Sequence, residues 1–132
     1  MMMSRYILFL FLFIGATASY AQPRISFERT TFFCGEVKQG DRARFAFKFR
    51  NVGDSALKIF DVKTTENGLS EPNYNRADIV KWTTDSVFIY YDADFVKLGS
   101  VQHALTINSN DPIEPAKTIY FTFSVIKRLP KH

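Results

Sequence analysis

The chain has 132 residues, of which 46% are hydrophobic, 16% aromatic and 23% charged, with one cysteine, two histidines and a formal net charge of +4. That is the composition of one small globular domain. A lone cysteine excludes an internal disulfide framework and any multi-cysteine zinc site, and His103 with His132 cannot build a three-histidine centre.

The first element is a leader. Arg5 is followed by an apolar run from Tyr6 to Ala18, then Ser19-Tyr20-Ala21 before Gln22. A basic start, an apolar stretch and a small-x-small end are the three parts of a secretory signal. The run is about 13 residues, against the roughly 20 needed to span the hydrocarbon core, so removal after Ala21 is expected, leaving no stable membrane anchor. Losing 21 of the 132 residues leaves 111, and because Arg5 is the only charge lost, the net charge falls from +4 to +3. So mild an excess gives no reason to expect a nucleic-acid partner. The expected location is periplasmic or secreted. With one thiol, the domain spanning residues 22–132 must be held by its core, for which eleven of the 14 phenylalanines remain.

Two weak strands, Arg24 to Phe27 and Phe32 to Val37, come next. The stretch Asp41 to Arg50 then alternates strictly: Phe45, Phe47 and Phe49 point one way, and Arg42, Arg44, Lys48 and Arg50 the other. Leu57 to Lys63 offers Leu57 and Ile59 as inward residues. Thr64 to Thr84 is the least patterned part and reads as irregular loop. Asp85 to Asp92 places Val87, Ile89 and Tyr91 on one face, and Ser100 to Asn108 places Val101, Leu105 and Ile107. Lys117 to Ile126 sets Ile119, Phe121, Phe123 and Val125 against Thr118, Tyr120, Thr122 and Ser124. Turn residues separate the strands, as in Lys38-Gln39-Gly40-Asp41, Asn51-Val52-Gly53-Asp54, Glu66-Asn67-Gly68, Lys97-Leu98-Gly99 and Asn108-Ser109-Asn110-Asp111-Pro112. About seven short strands with no amphipathic helix predict an all-β, immunoglobulin-like antiparallel sandwich.

Three segments carry a resemblance: Phe33-Cys34-Gly35-Glu36-Val37-Lys38-Gln39-Gly40-Asp41, Phe47 to Ile59 around Asn51-Val52-Gly53-Asp54, and Ile107-Asn108-Ser109-Asn110-Asp111-Pro112. They resemble a family of exported bacterial immunoglobulin-like domains of unknown function, similar in fold to Hydin-type and major-sperm-protein-type sandwiches. The resemblance implies a fold and no activity, because its motifs are turn and core positions. That family commonly carries a Cys-Gly-Cys segment and a Pro-Gly turn. Here the corresponding stretches read Thr64-Thr65-Glu66-Asn67-Gly68-Leu69 and Lys81-Trp82-Thr83-Thr84-Asp85, so nothing resting on that cysteine pair carries over.

No catalytic, cofactor-binding or metal-binding set is predicted, and the protein is expected not to be an enzyme. Cys34 reads as a small hydrophobe in a strand, the alternatives being an exposed thiol or a nucleophile with His103 as base. His103, in phase with Val101 and Leu105, reads as a structural residue. Asp85, Asp92 and Asp94 lack the spacing and glycine turn of a calcium loop. The basic stripe Arg42, Arg44, Lys48 and Arg50 keeps a sheet face soluble or contacts an anionic surface. Asp54-Ser55-Ala56 and Asp85-Ser86-Val87 match a short acceptor pattern for O-glycosylation, with Ser55 the better placed of Ser55 and Ser86. The expected role is a non-enzymatic envelope module binding an unknown envelope protein or surface polymer. The alternative is a structural or assembly role, by self-association through edge strands or as a chaperone for strands.

Overall fold

The computed structural model describes residues 21–64, 69–93 and 98–129. It contains seven strands: β1 Ile25–Phe27, β2 Thr31–Lys38, β3 Arg42–Asn51, β4 Ile59–Thr64, β5 Thr84–Asp92, β6 Gly99–Ser109 and β7 Ala116–Ile126. They form two layers, a three-stranded sheet in the order β1-β3-β5 and a four-stranded sheet in the order β2-β7-β6-β4. There is no α-helix among the described residues. The expected leader lies outside them except for Ala21, as do the turn Glu66-Asn67-Gly68, Asp94 and His132.

The alternation read from the sequence is what builds the core. Phe45, Phe47 and Phe49 of β3 and Val87, Ile89 and Tyr91 of β5 are buried against Leu105 and Ile107 of β6 and Ile119, Phe121, Phe123 and Val125 of β7. Aromatic rings bridge the layers: Phe47 meets Phe121 at a centroid distance of 4.9 Å, Phe45 meets Phe123 at 4.9 Å and Tyr91 meets Phe123 at 4.3 Å. Each such side chain contributes roughly 1.5–3 kcal/mol by leaving water. With no disulfide among the described residues, this burial holds the layers together.

Three details depart from the expectation. Pairing is antiparallel everywhere except between β2 and β7, which run parallel. Only Glu28, Arg29 and Thr30 separate β1 from β2, and over them the chain passes from one layer to the edge of the other, where β2 lies alongside β7. Val101 shares the face of His103 and Leu105 and pairs with the buried Phe123, yet it is 45% exposed. It lies at the start of β6, four residues before the part of that strand that pairs with β4. Finally, the irregular stretch after β4 forms no strand yet is used: Asn73 and Phe88 exchange backbone hydrogen bonds of 2.8 and 2.9 Å, and the Ser70 N–H donates to the Tyr90 carbonyl at 2.8 Å. Residues 69–73 thereby line the free edge of β5, and Ile79 bridges to Leu57.

Candidate functional site

Two of the turn motifs prove to be a structural clamp. The side chain of Asn51, at the end of β3, is fully buried with all four hydrogen bonds satisfied. Its amide donates to the carbonyls of Ser55 (2.8 Å) and Ile79 (2.9 Å), and its oxygen accepts from Gly53 N–H (3.0 Å) and Arg24 N–H (3.3 Å). Asp111, 1% exposed between β6 and β7, accepts from Ile25 N–H (3.0 Å), Ile113 N–H (2.8 Å) and Glu114 N–H (3.1 Å). The Arg24 guanidinium lies 3.6 Å from the same carboxylate. Asn51 thus holds the residue before β1 and Asp111 the first residue of it, where an edge strand of three residues would otherwise fray. Gly53 is required by packing: a Cβ there would stand 2.1 Å from the Gln22 carbonyl oxygen.

The outer face of the β1-β3-β5 sheet has a different character. Arg42, Arg44, Lys48 and Arg50 all project from it into solvent, as the alternation predicts. Sequence reading overlooked what lies beside them. Antiparallel register sets Arg44 opposite Tyr90, Ala46 opposite Phe88 and Lys48 opposite Ser86. The Arg42 guanidinium sits 4.5 Å from the Tyr90 ring centroid, that of Arg44 4.1 Å from Phe88, and that of Arg50 5.3 Å from Trp82. These are cation–π distances. Arg44, Lys48 and Arg50 form no ion pair among the described residues, while Arg42 lies across from Asp92. The signal for this face was present in Val87-Phe88-Ile89-Tyr90-Tyr91, a run apolar on both sides, which says the outward aromatics have partners too.

Trp82 ends the row. It is 54% exposed and adopts φ 66°, the left-handed region that bulky residues avoid. Its N–H donates to the Asn51 carbonyl (2.7 Å), and its own carbonyl accepts from Arg50 Nε (3.0 Å). Beside Arg50 a shallow concavity of about 570 Å³ is lined by Ser26 and Glu28 at β1, Lys48, Phe49 and Arg50 of β3, Val52, and Thr84 of β5. A second, of about 430 Å³, lies between β4 and residues 69–72.

The other sequence candidates are scattered. Cys34 is half-buried beside a bulge in β2, where Gly35 takes φ 83°, and burial pushes its thiol above the ordinary value, away from the reactive thiolate. His103 is buried and stacked on Phe121 and Phe123 of β7 at 5.3 and 5.1 Å. β7 lies between β2 and β6, so the strands carrying Cys34 and His103 are about 10 Å apart. Ser55 is half-buried in the turn after Gly53, and Ser86 half-buried in the middle of regular strand, with its N–H on Asp85 Oδ1 at 2.8 Å. Among the described residues no group of three or more His, Cys, Asp or Glu is placed to hold a metal ion.

Two layers of strands with a short first strand passing into a parallel edge define an immunoglobulin-like β-sandwich domain. Residues 25–125 match the family described as "Protein of unknown function (DUF1573)", and the chain belongs to that family. A crystal structure of a protein of unknown function from Porphyromonas gingivalis W83 is similar, with TM-score 0.66 and 23% identity over 83% of this chain, which spans half of that one. The ASH/PapD-like domain of human CEP192 aligns with TM-score 0.60 and 10% identity, over 88% of this chain and 93% of that one. The periplasmic chaperone SfaE aligns with TM-score 0.57 and 7% identity, over 81% and 61%. At these identities the likeness is one of fold. No curated protein matches the chain.

Proposed function

We propose that this domain is a non-enzymatic interaction module of the cell envelope, and that it meets an anionic partner, an envelope protein or a surface polymer, with the outer face of its β1-β3-β5 sheet. The observation that carries the reading is the row of arginines lying on Tyr90, Phe88 and Trp82. Stacking restrains the side chains before a partner arrives, so less rotamer freedom is lost on binding. Export rests on the leader sequence. The non-enzymatic reading is supported by a thiol held in its protonated form and a histidine committed to ring stacking two strands away.

Edge pairing, as in self-association or a chaperone-like role, is less favoured because each edge is blunted. β1 has three residues, β2 is bulged at Gly35, β5 is lined by residues 69–73, and the Tyr74 hydroxyl occupies the Phe60 carbonyl of β4, itself irregular between Ile59 and Asp61. Short, bulged and covered edges are the means by which sandwiches resist strand addition. The test is adsorption of the purified protein to isolated envelope across a range of salt, beside the double charge reversal Arg44→Glu with Lys48→Glu. Adsorption that weakens with salt and is lost in the variant is expected. Adsorption unchanged by both would remove the reading.

A further inference from the structure

We infer that the concavity at the Arg50 end of this face is a saccharide site selective for a carboxylate-bearing sugar, with Lys48 and Arg50 on the acid group and Ser26, Glu28 and Thr84 on the ring hydroxyls. The inference deepens the reading just given and rests on it. Its volume, about 570 Å³, is in the range of small-molecule sites, roughly 300–1,000 Å³. Lys48 and Arg50 are alternate residues of one strand, so their side chains leave the sheet about 7 Å apart, a gap that one carboxylate closes from both sides.

Arg50 is already set for this contact. Its Nε is engaged by the Trp82 carbonyl at 3.0 Å and its Cζ lies over the indole at 5.3 Å from the ring centroid, which leaves the two Nη groups to present a parallel pair of donors. That fork matches a carboxylate in bidentate geometry. Trp82 acts here as a positioning residue, and its left-handed backbone is what brings both its carbonyl and its ring to Arg50. Strain of this kind persists where surrounding structure over-determines it, and it concentrates at functional sites.

The rest of the lining selects the class of ligand. Among the described residues the side chains of Ser26, Glu28, Lys48 and Thr84 have no hydrogen bond or ion pair, so hydroxyl, carboxylate and ammonium groups all stand ready. A polyol uses donors and acceptors together. A phosphodiester offers acceptors only and would leave Glu28 without a donor. Among the residues lining the concavity, an acidic peptide would find apolar contact only at Val52, since Phe49 is buried.

The experiment titrates the protein with a galacturonic acid tetramer and, separately, the neutral galactose tetramer, following calorimetry and tryptophan emission. Trp82 is the one tryptophan in the chain, so its emission reports on the Arg50 contact directly. Saturable binding of the acidic tetramer is expected, with the neutral one at least about tenfold weaker. Arg50→Ala and Lys48→Ala should each weaken it about tenfold, and Trp82→Gly several-fold by calorimetry, whereas Arg42→Ala with Arg44→Ala should change it less than about twofold. Glycine accepts the left-handed backbone without penalty, so that variant folds. Equal binding of the neutral tetramer, equal loss in the Arg42/Arg44 variant, binding only to phosphatidylglycerol vesicles or polyglutamate, or no response up to about 1 mM would each overturn the inference. Such failure with salt-sensitive envelope adsorption intact removes the site and leaves the broader reading. Tetramer binding with salt-insensitive adsorption does the reverse.

Discussion

Replacing Asp111 by asparagine removes a charge and almost no volume, so its cost isolates what the carboxylate does for the fold. The carboxylate accepts three backbone N–H groups, from Ile25, Ile113 and Glu114. An asparagine offers one oxygen and one NH₂, so with its oxygen on Ile113 and Glu114 its amide faces the Ile25 N–H, donor against donor. The loss of that buried charge-assisted bond is about 1.5–3 kcal/mol, and the two remaining bonds weaken from charged to neutral acceptors, for a total of about 3 kcal/mol. In a domain of this size that corresponds to a melting temperature about 10–20 °C lower. The pH dependence supplies a second check. Burial, the largest influence, pushes the Asp111 carboxyl up, but the N–H groups of Ile25, Glu114 and Ile113 with the Arg24 guanidinium outweigh it and hold it below its ordinary 3.8. A carboxyl depressed in the fold stabilises it above the unfolded value and loses that contribution as pH falls through the folded one. In urea titrations the gap between wild type and Asp111→Asn should therefore be full at neutral pH and narrow below about pH 3.8. A gap under about 1 kcal/mol, or one as wide at acid pH as at neutral, would refute the reasoning.

Two other substitutions test the same account. Gly53→Ala places a Cβ within 2.1 to 2.8 Å of the Gln22–Arg24 backbone, so it should cost about 2–4 kcal/mol in chemical unfolding and expose residues 22–25 to proteolysis; an unaltered midpoint would contradict the clamp. The buried Tyr91 hydroxyl has no hydrogen-bond partner among the described residues, and burial followed by the Asp92 charge pushes its ionisation up. Tyr91→Phe should accordingly be neutral or raise stability by up to about 1 kcal/mol, and a clear loss in thermal unfolding would reveal a partner.

The stripe on β3 and the aromatic core were legible in the sequence because a strand's period of two converts residue order into direction. The reading of Arg42, Arg44, Lys48 and Arg50 as one face needed no neighbour. Their stacking on Tyr90, Phe88 and Trp82 was not legible, since those rings come from about 40 residues away and register across strands is fixed by the whole layer. Val101 was misread for the complementary reason: alternation gives a side, but not whether an opposing layer reaches that far along the strand. Cys34 was read as a small hydrophobe, and the bulge at Gly35 leaves it half-buried while its neighbour Phe33 is 82% exposed.

Asn51, Gly53 and Asp111 show the division most plainly. As letters they are turn residues, chosen for the backbone angles they tolerate. Sequence alone determined that the chain reverses there and that seven strands, each with an apolar face, must stack into two layers, because local sterics and side-chain alternation act within a few residues. Only the tertiary structure decided that Asn51 and Asp111 reach back to hold Arg24 and Ile25, and that Arg50 comes to rest against Trp82. Those contacts join residues far apart in the chain, and such a contact exists only once the layers have closed and set the distance between them.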